Sequence, residues 1–223
     1  MIAIEVVRVF TDEAGGFGNE LGIVRSSSAT AGREQQIATE LGFSETVFVH
    51  SVLGGVATIG IFTPTTELSF AGHPSVGTAW WLKQQDTPVS MIVEKAGDVV
   101  VRYDGDDTWI TGKAEWTTKY RWISLEKALD VEALDPADFT DGRNYSYAWS
   151  DEAAGVLRSR MFAPALGIVE DQATGAAAIA VTARLGRDLD IVQGRGSRIR
   201  TRQLQNGLVE VGGRTVADRR ITL

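Results

Sequence analysis

Apolar and polar positions alternate along most of this chain, in short segments punctuated by glycine. Residues 2–10 are β-branched and alternating, which predicts a strand. A glycine loop, Gly15-Gly16-Phe17-Gly18-Asn19, follows, and the apolar pattern resumes over 21–24. Residues 34–41 place Ile37 and Leu41 four apart with Gly42 just beyond, a helix with its stop signal. Residues 44–51 and 56–62 read as strands joined through Gly54-Gly55 into a hairpin. Further strands are expected at 91–94, 99–103 and 108–111, the last two separated by a turn at Asp104-Gly105. A helix over 125–134 is ended by Pro136, and strands follow at 145–149 and 155–162. Residues 173–185 predict a helix with Thr174 as N-cap and Gly186 past its end. The tail returns to strands at 190–193, 198–203, 208–211 and 215–223. Many short strands with two helices in apolar surroundings predict an α+β fold, its sheets wrapped around central helices.

Two stretches resemble each other. Residues 62–82 run strand, loop with Gly72-His73-Pro74, then apolar helix; residues 162–185 run strand, loop with Asp171, then an alanine-rich helix. Phe62-Thr63-Pro64 and Phe162-Ala163-Pro164 match at their starts, which suggests two similar halves. Between Thr46 and Leu82 the one formally charged residue is Glu67. Glycine, proline and threonine interrupt that run too often for a membrane span, so it reads as buried strands and one buried helix.

Composition narrows the chemistry. The 223 residues carry 29 acidic and 22 basic side chains, net −7, a balance that weighs against a nucleic-acid partner. Cysteine is absent, which excludes disulfides, thiolate metal sites and thiol nucleophiles. No metal-ligand spacing is present, and Glu5 and Arg8 inside the first apolar run argue against a signal peptide. A cytoplasmic protein without a membrane partner is expected. Charge is segregated: residues 184–220 hold nine arginines against four acids, while the chain through residue 183 holds 13 basic and 25 acidic residues. The arginines read as a solvated edge that discourages strand pairing, or else they steer an anionic substrate or fasten a dimer partner. The acids Asp104, Asp106 and Asp107 read as a solvated hairpin turn rather than a calcium loop.

Three places carry candidate chemistry. Glu45 falls on the strand face of Val47 and Val49, where partial desolvation raises a carboxyl toward the range of a general acid or base. The loop Phe70-Ala71-Gly72-His73-Pro74-Ser75 opens a helix with Pro74 in its first turn, leaving backbone N–H groups at Ser75, Val76 and Gly77 to hold a carboxylate or developing enolate. His73 stands beside them as a titratable partner, while His50 reads as structural. The third is Glu170-Asp171-Gln172-Ala173-Thr174-Gly175-Ala176-Ala177, where small residues let a ligand approach the start of a second helix.

Taken together, these residues resemble the PhzF (phenazine biosynthesis) family of the diaminopimelate epimerase superfamily. The matching segments are Phe10-Thr11-Asp12 with Gly18-Asn19, Ser44-Glu45-Thr46-Val47-Phe48-Val49, Ile61-Phe62-Thr63-Pro64, the whole run from Phe70 to Ala79, and Phe162-Ala163-Pro164 with Gly167 through Gly175. Gln193-Gly194 and Val211-Gly212-Gly213 match near the end. The resemblance implies two pseudo-symmetric halves, each a curved sheet around a central helix, with the site in the cleft between them. It divides the chain into an N-terminal half, 1–107 with the strand 215–223, and a C-terminal half, 108–214, shortened between about residues 135 and 160. It further implies a homodimer and a cofactor-independent isomerase for a small unsaturated or cyclic carboxylic acid. Glu45, His73 and Asp171 are then the catalytic residues, and Asn19, Gly72, Ser75, Thr174, Gly175 and Ala176 the substrate-binding ones. Two departures stand out: Glu20 replaces the family's proline after Gly-Asn, and Ala176 replaces the serine after Thr-Gly. The alternative is a shortened, non-catalytic ligand-binding relative of the same fold.

Overall fold

Two chain segments of one design follow each other in the computed structural model, which describes residues 1–164 and 167–223. The first contains β1 (Ala3–Thr11), β2 (Asn19–Arg25), α1 (Glu34–Leu41), β3 (Thr46–Leu53), β4 (Val56–Phe62), β5 (Glu67–Leu68), α2 (Gly72–Gln84), β6 (Met91–Glu94), β7 (Gly97–Asp104) and β8 (Asp107–Lys113). The second contains β9 (Arg121–Ser124), α3 (Ala128–Glu132), β10 (Asn144–Asp151), β11 (Val156–Ala163), β12 (Ile168–Asp171), α4 (Gly175–Leu185), β13 (Leu189–Gln193), β14 (Ser197–Gln203) and β15 (Leu208–Thr222). β2 and β3 pair in parallel across α1, as β9 and β10 do across α3. The hairpin β3–β4 has its counterpart in β10–β11, and the parallel pair β4–β6 in β11–β13. The halves expected from the sequence repeat are therefore related strand by strand.

One continuous sheet links them, in the order β1-β2-β3-β4-β6-β7-β8-β15-β14-β13-β11-β10-β9. β15 makes the join. Its first part pairs with β8 and β14, and the remainder returns along β1, closing a barrel around α2. Helix α2 is buried along most of its length, which accounts for its lack of an exposed polar face. The second half wraps α4 but stays open: among the described residues β9 pairs with β10 alone. Tyr120, Trp122 and Tyr145 fill that side with rings 5.3–6.5 Å apart. One large core surrounds both helices, and a small one lies outside the first barrel, where Ile37 of α1 packs with Ile4, Val6, Val24 and Phe48. Val47 and Val49 point inward and Phe48 outward, as strand alternation requires.

Several local expectations change. The helix read over 125–134 shortens to α3, and Pro136 starts a separate 3-10 turn. β9 and β12 form where no strand was expected, and the last two strands are one 15-residue strand. Strand β8, placed in the C-terminal half, is shared: it pairs with β7 on one side and β15 on the other. The arginines do not simply line an unpaired edge: β14 lies between β13 and β15, and the edge is confined to the end of β15 beyond residue 214, which carries Arg219 and Arg220 and among the described residues pairs with β1 alone. They also meet the acids of the first half: Arg200 with Asp107, Arg214 with Asp106 at 3.5 Å, Arg219 with Glu20 at 3.0 Å and Arg220 with Glu5 at 2.5 Å. Charges separated in sequence thus neutralise each other across the closing strands. No helix among the described residues is long and apolar enough to cross a membrane.

Candidate active site

The starts of α2 and α4 touch. A Cβ on Gly72 would lie 2.7 Å from the Gly175 carbonyl carbon, and one on Gly175 would lie 2.9 Å from the His73 nitrogen. Only glycine at both positions permits this approach. Neither helix receives a side-chain cap at its first turn. The α2 helix begins two residues before Pro74, so the Ser75 N–H already bonds to the Ala71 carbonyl. The N–H groups left open are therefore those of Gly72 and His73, not the expected Ser75, Val76 and Gly77. In α4 the first intrahelical bond is from Ala178 to Thr174, which leaves Gly175, Ala176 and Ala177 open. Two positive helix ends converge on one place, an arrangement suited to an anion.

Glu45 stands directly before β3 and reaches toward the same place. Its Oε2 lies 3.5 Å from His73 Nε2, with the two side chains 16% and 5% exposed. Neither atom has a hydrogen-bond partner. Burial lifts the Glu45 carboxyl to about 7, against a smaller pull downward from a Ser44 hydrogen bond. Burial also pushes the His73 imidazole down, more than the charge of Asp171 and a hydrogen bond to the Glu20 backbone push it up. His73 is consequently neutral near pH 7 while Glu45 is divided between its acid and its ionised form, poised both to give and to take a proton.

Asp171 comes from the other half, at the end of β12. Its carboxyl is shifted upward, first by burial and then by the charge of Glu45. Asn19 Nδ2 donates to one oxygen at 2.7 Å and Thr174 Oγ1 to the other at 2.6 Å. Asn19 also donates to the Ala173 carbonyl at 3.1 Å, so it ties β2 of one half to the start of α4 in the other. Thr174 is the N-cap by position, yet its hydroxyl serves Asp171 rather than its own helix. Gln193 holds that turn from below, donating to Thr174 Oγ1 at 2.8 Å and to the Asp171 carbonyl at 2.9 Å. Both oxygens of Asp171 are engaged while Oε2 of Glu45 is open, so the open carboxyl is the better proton carrier.

Glu45, His73, Asp171, Asn19, Gly72, Thr174, Gly175 and Ala176 are thus gathered from β2, the start of β3, and the two helix ends. The Ser75 side chain is turned behind α2, to Glu94 and the Ala71 carbonyl. His50 lies exposed on the outer face of β3, 2.9 Å from Ser26 Oγ. Sequence reasoning missed Tyr120, whose phenol burial pushes up to about 12 and which senses Asp171, Arg143 and Glu45. The repeat was the signal that could have found its surroundings. Thr46 pairs with Phe62 and Asn144 with Phe162, so Arg143 holds the place in the second half that Glu45 holds in the first. Ala176 correspondingly answers His73. The two halves therefore supply unlike groups, and one open carboxyl serves the site.

The chain is similar to known proteins over most of its length. The family model for phenazine biosynthesis-like protein (PhzC-PhzF) matches residues 7–138 and 122–211. The chain is 33% identical to the trans-2,3-dihydro-3-hydroxyanthranilate isomerase of Pseudomonas aeruginosa, over 73% of this chain and 72% of that one. It is 30% identical to the enzyme of that name from Pseudomonas chlororaphis, over 74% and 76%. Its fold matches the crystal structure of a PhzC/PhzF protein from Clostridium difficile with a TM-score of 0.79 at 20% identity, covering 100% of this chain and 99% of that one.

Proposed function

Because the chain belongs to the phenazine biosynthesis-like (PhzF) family and is an isomerase of that family, we propose that it moves a proton between carbons of a small unsaturated or cyclic carboxylic acid, with Glu45 as acid and base. The observation that carries this reading is the open Oε2 of a buried carboxyl beside two uncapped helix ends. The N–H groups of Gly72, His73, Gly175 and Ala176 hold the substrate carboxylate and the charge that develops as the proton leaves. Glu45 in its ionised form takes a proton from one carbon; the double bond shifts; protonated Glu45 returns a proton to another carbon. Atoms and electrons balance without an oxidant or reductant. Neutral His73 borders Glu45, and Asp171, fixed by Asn19 and Thr174, orders the start of α4. A racemase built on two thiols is excluded, since the chain has no cysteine.

The test is incubation with candidate ring carboxylates in deuterated water. Carbon-bound deuterium, read by NMR or mass spectrometry, is the expected result. A carboxylate that binds but never acquires deuterium, across a panel of unsaturated acids, would leave a binding protein and overturn the proposed reaction.

A further inference from the structure

The mechanism leaves one buried acid unused. Glu94, at the end of β6, is 6% exposed and lies under the first turn of α2. Its Oε1 is in short contact with Ser75 Oγ, and its Oε2 has no partner. Ser75 Oγ lies at the same time 2.6 Å from the Ala71 carbonyl. Ser75 has one hydroxyl hydrogen. The carbonyl has none to give, so Ser75 donates to Ala71, the usual back-bond of a helical serine. With that hydrogen spent on Ala71, the contact between Ser75 and Glu94 is a hydrogen bond only where Glu94 supplies the hydrogen as a neutral carboxylic acid.

The second half supports this assignment. Val56 pairs with Met91 and Val156 with Asp190, so Glu94 and Gln193 occupy corresponding strand positions. Gln193, a neutral side chain, holds the first turn of α4 through Thr174. We propose that Glu94 is a positioning residue, a neutral carboxylic acid that clamps the first turn of α2 so that its open N–H groups face the ligand carboxylate, and that deprotonating it releases the clamp. The ligand part rests on the anion-binding reading given above; the clamp itself does not.

Burial carries Glu94 upward, to about 8. No charged neighbour competes with it. The charged groups of adjoining elements are exposed or paired: Asp98 in solvent, Arg102 with Glu210, Lys95 with Glu67, Lys113 with Glu115. β4 contributes no charged residue, Tyr103 bonds to the Ala79 carbonyl, and His73 on α2 is neutral and turned to Glu45.

Two measurements test the proposal on the full chain. The first is protection of the Ser75 amide from hydrogen exchange, corrected for intrinsic rate, with rising pH. In the wild type, protection should fall up to about tenfold per pH unit above the Glu94 midpoint; in Glu94→Gln it should stay flat. The second is the affinity for anthranilate, a ring carboxylate, which should follow the same curve in the wild type. Glu94→Gln should keep the neutral-pH affinity, and Glu94→Ala should lose it throughout. A wild-type Ser75 amide with pH-independent protection, or an infrared carbonyl band for neutral Glu94 that is absent at pH 7, overturns the clamp. Unbound anthranilate with the expected exchange curve would instead count against the ligand reading and leave the clamp standing.

Discussion

Replacing Glu45 by glutamine removes one titratable proton and changes little else. The amide keeps the shape of the side chain. If Glu45 carries the proton, deuterium exchange into substrate should fall by ~10²–10⁴, the usual worth of a positioned acid–base group, or about 3–5 kcal/mol of barrier. Substrate affinity should change much less, because the carboxylate is held by helix N–H groups. In the wild type, kcat/KM should rise as Glu45 ionises through about pH 7; the residual rate of the variant should lack that limb. Stability gives an independent reading. A carboxyl lifted from 4.5 to about 7 by burial binds more protons folded than unfolded between those values. The folded state therefore loses stability as pH rises through that window, by about 1–3 kcal/mol at pH 7. Glu45→Gln should match the wild type below pH 4.5 and exceed it at pH 7 by that amount, measured by urea denaturation at several pH values. A variant with wild-type exchange and an unchanged acid limb would refute the mechanism. One with an unchanged pH dependence of stability would refute the burial argument.

Four further outcomes are expected. Gly72→Ala drives a methyl into the Gly175 backbone and should cost about 1–3 kcal/mol or more in urea denaturation, with loss of carboxylate binding in calorimetry. Ala176→Ser adds a hydroxyl at the start of α4 and should tighten carboxylate binding by about 1 kcal/mol in the same titration. His73→Asn alters both the neighbour of Glu45 and an open helix end, so initial-rate kinetics should show kcat and KM impaired together. Arg214→Ala removes a half-exposed ion pair with an exposed Asp106, and thermal melts should register a change within ~1 kcal/mol.

The alternation of residues 2–10 and 56–62 determined strands before any tertiary contact was known, and the glycines after 41 and 185 determined where two helices stop. Both stop glycines adopt left-handed backbone, with φ of 69° and 67°. The missing cysteines and the motifs around Glu45, His73 and Asp171 narrowed the chemistry in the same way. Those signals are local: a side chain's face follows from its position within one element. Tertiary structure decided the rest. Gly72 and Gly175 meet although 102 residues separate them, and only the packing of the two halves brings them together. The raised carboxyl of Glu45 and the lowered imidazole of His73 depend on desolvation by elements remote in sequence, which no spacing within one motif encodes. The single strand 208–222 appeared as two, because Gly212 and Gly213 weaken the pattern where the chain lies flat against the Trp109 ring. The arginine-rich tail reads as a solvated edge, which the end of β15 beyond residue 214 is, but its acidic partners lie far up the chain, and β14 and β15 meet them only when the sheet forms. Local pattern determines which face of an element is buried; what lies against that face, and hence its electrostatics, is set by which elements the folded sheet makes neighbours.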